Sequence, residues 1–355
     1  MGVFASQRPE GRAQFGRIFP PSPEWLGKQP VEPVLEPELP IVDTHHHLWD
    51  VPNNRYLIDD LVADLSGGHN VVATVFLECL AMYRASGPTE MRPVGETEFV
   101  SGIAAMSASG LYGPTRIAAG IVGFADLTLG AGVEPVLQAH IAAGGGRFRG
   151  IRHSAAWDAN PIIGNSATVQ GPGLFREPTF RAGISRLQAL GLSFDAWVFH
   201  PQLADVADLA QAFPELSITL GHAGGVLGYG PYTGKRDEVF SAWRASMADI
   251  AMHANVSVKL GGLVKRLAAF DYLALEAPPD SDALATYWRP YIETCIELFG
   301  VERCMFESNF PVDKLGTGYT TLWNAFKRIT ASASAGEKAA LYSGTARRVY
   351  RLGRD

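Results

Sequence analysis

Eight apolar runs of about strand length, each followed by a stretch of helical periodicity, constrain this 355-residue chain more than any other feature. They are PIVDTHH (40–46), VVATVFLEC (71–79), RIAAGIVGFADL (116–127), FRGIRHSA (148–155), LSFDAWVF (192–199), LSITLGHA (216–223), VSVKLGG (256–262) and RCMFESNF (303–310). Amphipathic segments fill the gaps near 96–109, 133–143, 180–191, 201–213, 236–254 and 285–300, and two more follow the last run. Apolar strands covered by helices make a parallel sheet. Eight of them in roughly 310 residues suit a closed (β/α)8 TIM barrel, an α/β fold, better than an open doubly wound sheet. No Gly-x-Gly-x-x-Gly follows an early strand, and the glycines of GHAGGVLGYG read as loop, which weakens a dinucleotide-binding alternative. Residues 1–39, with PPSPEW and EPVLEPELP, read as an N-terminal arm wrapped over the domain formed by 40–355, with a short helix near Trp25.

Composition narrows the partners. A net charge of −6 and a pI near 5.9 speak against nucleic acid and anionic membranes. Cys79, Cys295 and Cys304 form no CxxC pair and read as reduced thiols, which suits a cytoplasmic location. There is no apolar span long enough for a membrane helix and no secretory pattern. The opening MGVFAS fits a short acylation pattern, but no polybasic patch follows and lipid anchoring is not expected. A homo-oligomer stays open.

In such a barrel the chemistry lies at the C-terminal strand ends. The first run ends in His45, His46 and His47, and the second carries Glu78. Asp126 lies on the third, Arg152 and His153 on the fourth. The fifth and sixth end in His200 and His222, the seventh holds Lys259, and the eighth holds Glu307 and Asn309. Strand side chains alternate faces, so His45 and His47 point together and His46 points away. Neutral imidazoles in a His-x-His pair suit zinc or a similar divalent ion, with His200 as a third ligand and His222 as a further ligand or an acid/base. Each histidine alone reads more simply as a satisfied polar residue at a strand mouth; three strands ending in imidazoles exceed what packing requires. By alternation Lys259 looks into the barrel, where burial requires a partner such as Glu78, Glu307 or an anionic substrate. Arg152 fits either a salt bridge to a loop carboxylate or recognition of a substrate carboxylate.

The ordered set IVDTHHHLWD, GHNVVATVFLEC, RPVGETEFV, FRGIRH, LSFDAWVFHPQL, LGHAGG, VSVKLGG and RCMFESNFPVDK resembles the amidohydrolase-related family, in the branch with sugar-lactone and pyrone-dicarboxylate lactonases. The resemblance runs from about Pro40 to Leu352. It implies a hydrolase, with His45, His47 and His200 holding one divalent metal ion, zinc by preference, and His222 assisting proton transfer. The family's eighth strand ends in Gly-Ser-Asp-x-Pro; here Asn309 stands at the aspartate position. An amide is a poor base and a weak ligand. Three arrangements follow: Asn309 orients water while His222 takes the proton, Glu307 replaces the lost carboxylate, or no metal is present. Asn309 also suits a helix cap. The expected activity is lactonase, opening a small carboxylated cyclic ester. Arg152 and Lys259 would neutralise substrate charge, and Tyr83 and Arg84 would cover the pocket. Metal-independent hydrolysis, non-oxidative decarboxylation of an aromatic or unsaturated acid, and non-catalytic small-molecule binding are the alternatives.

Overall fold

The computed structural model describes residues 19–163, 171–266 and 275–353. Eight parallel strands follow one another around the sheet in chain order: β1 Ile41–His46, β2 Val71–Leu77, β3 Arg116–Gly123, β4 Phe148–Ser154, β5 Ser193–Trp197, β6 Ile218–Leu220, β7 Val256–Leu260 and β8 Cys304–Phe306. The first and last strands meet through their continuations. His47 N donates to Phe310 O at 2.8 Å, Asn309 N donates to His45 O at 2.9 Å, and His46 bridges Phe310. The expected (β/α)8 barrel is therefore present. Its outer layer includes the helices Val94–Ala108, Glu134–Ala143, Pro178–Ala189, Leu203–Ala212, Arg236–Ala251, Ser281–Phe299 and Tyr319–Ile329.

The strand sequences explain their burial. All residues of β1, β6, β7 and β8 are buried, as parallel strands covered on both faces must be. Two features lie outside the sequence expectation. A two-stranded hairpin, Trp49–Val51 with Asn54–Tyr56, follows β1, and a helix, Ile58–Leu65, follows the hairpin. The C-terminal segment also does more than cover the sheet. Val349, Tyr350 and Leu352 pack with Val42, Ala73, Val75, Ala119 and Met305. Arg116 at the start of β3 donates to Gly353 O, which places this segment at the N-terminal end of the barrel.

Residues 19–39 lie along the outside. They include the short helix Pro23–Leu26, and Asn324 and Lys327 hold Leu35 and neighbouring carbonyls. No helix among the described residues is long and apolar enough to cross a membrane.

Candidate active site

Glu307 follows β8 directly and is fully buried. Its Oε2 lies 2.7 Å from His45 Nδ1, and its Oε1 lies 2.7 Å from His222 Nδ1. Oε1 also accepts the His222 main-chain N–H at 2.9 Å. One carboxylate thus ties the ends of β1 and β6 together. The two glycines ending LGG make room for it. A Cβ on Gly261 would sit 2.5 Å from Glu307 Cγ, and one on Gly262, at φ +61°, would sit 2.0 Å from His222 Nδ1.

His45 and His47 converge as the His-x-His pair requires. Their Nε2 atoms are 3.0 Å apart. His47 Nδ1 meets Leu77 O at 2.8 Å, so it carries the proton and leaves Nε2 as the lone-pair nitrogen. Burial lowers both imidazoles well below the ordinary histidine range, with Lys259 the next cause for His45 and Arg152 for His47. Both are neutral at pH 7, the form that ligates metals or accepts protons.

Arg152 reaches the same place from β4. Its Nε donates to Glu78 Oε1 at 2.7 Å, another N–H donates to the Glu78 carbonyl, and Nη1 lies 3.2 Å from His45 Nε2. The salt bridge to a loop carboxylate is present, and the same guanidinium lies beside His45.

The other singled-out residues stand elsewhere. His200 opens a short turn with Pro201, which takes it out of β5; its ring packs on Tyr232 at 4.9 Å and its Nδ1 accepts Leu227 N–H at 3.4 Å. It is not among the three groups, His45, His222 and Glu307, whose ligand atoms lie within 4.8 Å of one another. Lys259 faces inward, but its partners are Asp195 Oδ2 at 3.0 Å and Thr44 O at 2.9 Å, not Glu78 or Glu307. It is 1% exposed, and both of these contacts are to the protein itself. Asn309 sits at φ +55° and turns its amide to Asp313 Oδ1 at 2.9 Å. Arg84 lies on the surface in a pair with Glu98. Tyr83 lines a cavity of about 830 Å³ together with Phe124, Asp126 and His153. His46 faces Thr74 Oγ1 at 2.9 Å, away from the cluster. Asp43, which the strand-end reading passed over, accepts N–H from His45 and Ser308 and the Tyr319 hydroxyl, and so fixes β1 against the segment after β8.

The donor set fits a divalent ion. The two Nε2 atoms lie 3.0 Å apart; His47 Nδ1 rests on a carbonyl, the outer support that ligating histidines need, and His45 Nδ1 lies 2.7 Å from a carboxylate oxygen. Tetrahedral zinc with two imidazoles would space their nitrogens by roughly 3.3 Å.

Acid should destabilise the fold through its buried neutral histidines. Burial pushes His46 down to about 3, and His69, His140, His153 and His200 to about 4. Below the ordinary value near 6.5 the unfolded chain binds protons that the folded chain refuses, so stability falls as pH drops through this window. His46 alone should cost about 1 kcal/mol between pH 7.5 and 5.5. Urea midpoints at the two pH values should differ less in His46→Asn than in the parent; an equal difference would remove His46 from this account.

This (β/α)8 barrel gathers imidazoles, a carboxylate and a guanidinium at the C-terminal ends of its strands, where barrel enzymes carry their chemistry. The family profile described as Amidohydrolase matches residues 42–352, and the chain belongs to that family. It is 32% identical over 337 residues to an uncharacterised protein, y4mH, of Sinorhizobium fredii, covering 89% of this chain and 99% of that one. It is 27% identical over 333 residues to L-fucono-1,5-lactonase of Burkholderia multivorans, covering 88% of this chain and 96% of that one. A solved amidohydrolase structure from Burkholderia multivorans with bound zinc shares 25% identity at a TM-score of 0.66, covering 88% of this chain and 99% of that one. The chain is an enzyme of the hydrolase kind.

Proposed function

We propose that this enzyme opens a small cyclic ester, a sugar-acid lactone or a related carboxylated lactone, by adding water to its carbonyl. The observation that carries this is Glu307 spanning two imidazoles from opposite parts of the barrel, His45 and His222, with Arg152 beside them. The lactonase relative supports the substrate class.

His222 is the base. Its Nδ1 is held by Glu307, which leaves Nε2 to take a proton from water as the oxygen attacks the carbonyl carbon. Glu307 stabilises the imidazolium that results. Arg152 Nη1 faces the reacting groups and neutralises the developing oxyanion, while Glu78 holds the guanidinium in place. When the intermediate collapses, the ring C–O bond breaks and His222 returns the proton to the leaving ring oxygen. The product is a hydroxy acid, released with one proton at neutral pH. Glu307 takes the part of the family's aspartate, since Asn309 is engaged with Asp313.

His45 and His47 would hold a divalent ion, zinc by preference, through Nε2; bound there it supplies carbonyl polarisation and a lowered water pKa. Arg152 Nη1 at 3.2 Å from His45 Nε2 favours a second reading, in which the guanidinium alone provides the positive charge. Metal content separates the two. Protein purified without a histidine tag should carry about one ion per chain, and His45→Ala and His47→Ala should carry little. Full activity with no ion after chelation would establish the metal-free form.

Ring opening is tested on L-fucono-1,5-lactone and on carboxylated lactones, by proton release. Release of carbon dioxide from an aromatic acid, with no lactone opened, would replace this reading by decarboxylation. Saturable binding without turnover would replace it by a binding protein. The three buried thiols suit a cytoplasmic enzyme.

A further inference from the structure

The motif RPVGETEFV (92–100) has no part in the reaction above, yet it contacts the loop that carries Glu78. Glu96, in the first turn of the helix Val94–Ala108, is 1% exposed. Its Oε1 accepts the main-chain N–H groups of Cys79 and Ala81, each at 2.9 Å, and the Cys79 thiol at 3.5 Å. Its Oε2 is buried without a hydrogen-bond partner, and so is the Tyr83 hydroxyl.

The loop from Glu78 to Arg84 is strained and closely held. Leu80 and Met82 adopt φ of +64° and +53°, a region that side-chain-bearing residues seldom enter. Such conformations persist only where the surroundings over-determine them, and they gather at functional sites. Arg84 N donates to Arg92 O at 3.0 Å. A Cβ on Gly95 would lie 2.6 Å from Met82 O, so only glycine lets the loop approach this helix. At one end the loop presents Glu78 to Arg152; near the other, Tyr83 faces the cavity of about 830 Å³.

We infer that Glu96 is a positioning residue, which clamps the 78–84 loop through two main-chain N–H groups and thereby sets the Glu78–Arg152 pair and the aim of Tyr83. It touches no reacting atom. An ionised carboxylate with a buried, unpartnered oxygen is costly, so the geometry calls for a proton on Oε2. Burial, then Glu78, pushes the Glu96 carboxyl up to about 8. The titratable and charged groups around it are Glu78, Cys79 and Tyr83 on the loop and Arg152 on β4. Burial pushes Cys79 and Tyr83 upward, out of the range where Glu96 changes charge. On its own helix Glu98 faces Arg84, and Thr97 bonds His140, whose burial holds it near 4.

Only the kinetic readout of this inference rests on the proposed hydrolase reaction. The test compares the parent with Glu96→Gln and Glu96→Ala. Infrared difference spectra between parent and Glu96→Gln should show a protonated-carboxyl band at neutral pH that titrates away near pH 8. Hydrogen exchange over 78–84 should quicken by about 10-fold or more in Glu96→Ala and stay slow in Glu96→Gln, which keeps an acceptor for both amides. On L-fucono-1,5-lactone, Glu96→Ala should lose on the order of 100-fold in kcat/KM, and Glu96→Gln should keep activity and lack the parent's decline above pH 8. Absence of the carboxyl band, or unchanged exchange in Glu96→Ala, overturns the inference. If the parent opens no lactone, the proposed function falls while the infrared and exchange results still decide the role of Glu96. If Glu96→Ala does not fold, the band and the Glu96→Gln pH profile decide it.

Discussion

Replacing Glu307 by glutamine should lower kcat for lactone opening by about 10³- to 10⁴-fold while leaving the barrel folded. The carboxylate has one oxygen at 2.7 Å from each of two Nδ1 atoms. An amide offers a single acceptor, and its NH2 faces whichever Nδ1–H remains. That histidine must then move its proton to Nε2, the nitrogen the reaction needs free. The variant also loses the charge that stabilises imidazolium at His222. KM should change little, because Glu307 holds histidines rather than substrate. Circular dichroism and the urea midpoint should report an intact fold, and steady-state kinetics should report the loss. A decline of less than about 10-fold would mean that His222 does not act as the base proposed here.

Lys259→Ala should be the most destabilising single substitution in the barrel interior, by about 3–5 kcal/mol. The ammonium lies 3.0 Å from Asp195 Oδ2, donates to Thr44 O at 2.9 Å and stands 5.1 Å from the centre of the Tyr350 ring. Removing it leaves Asp195 buried with the Tyr350 hydroxyl at 2.7 Å and without its ammonium partner. The double variant Lys259→Met with Asp195→Asn should recover most of the loss, because the cost lies in the unpaired charge rather than in the missing pair. Chemical denaturation measures both. A single-variant loss under about 1 kcal/mol, or no recovery in the double variant, would contradict the account.

The barrel was legible because its strands are buried on both faces and therefore apolar throughout, and because each is followed by helical periodicity. The convergence of His45, His47 and His222 on one rim was legible because the C-terminal ends of the strands share that rim. Alternation of side chains served for Lys259, which does face inward, but its partner lies on another strand. Which residues of β5 and β7 come together depends on sheet register, and the pattern of one strand carries no information on that. Alternation failed after Phe306, where β8 ends. Extended past that point it would place Glu307 and Asn309 on one face, whereas the left-handed turn at Asn309 sends its amide to Asp313. His200 was read as a strand-end residue, and the turn begun with Pro201 carries it toward Tyr232. The hairpin after β1 gave no signal because its strands are three residues each. Glu96 stands within the RPVGETEFV motif, but its target is main chain, and main-chain donors look alike in any sequence.

Tyr350 gives the fold a temporal order. The hydroxyl that bonds Asp195 Oδ2, and the ring beside the ammonium, belong to a residue translated after all eight strands. On the ribosome the interior carboxylate must wait for Tyr350 before its Oδ2 gains this second donor beside Lys259. A nascent barrel with every strand made is still short of its floor, and its central cation and anion settle only once that tail emerges.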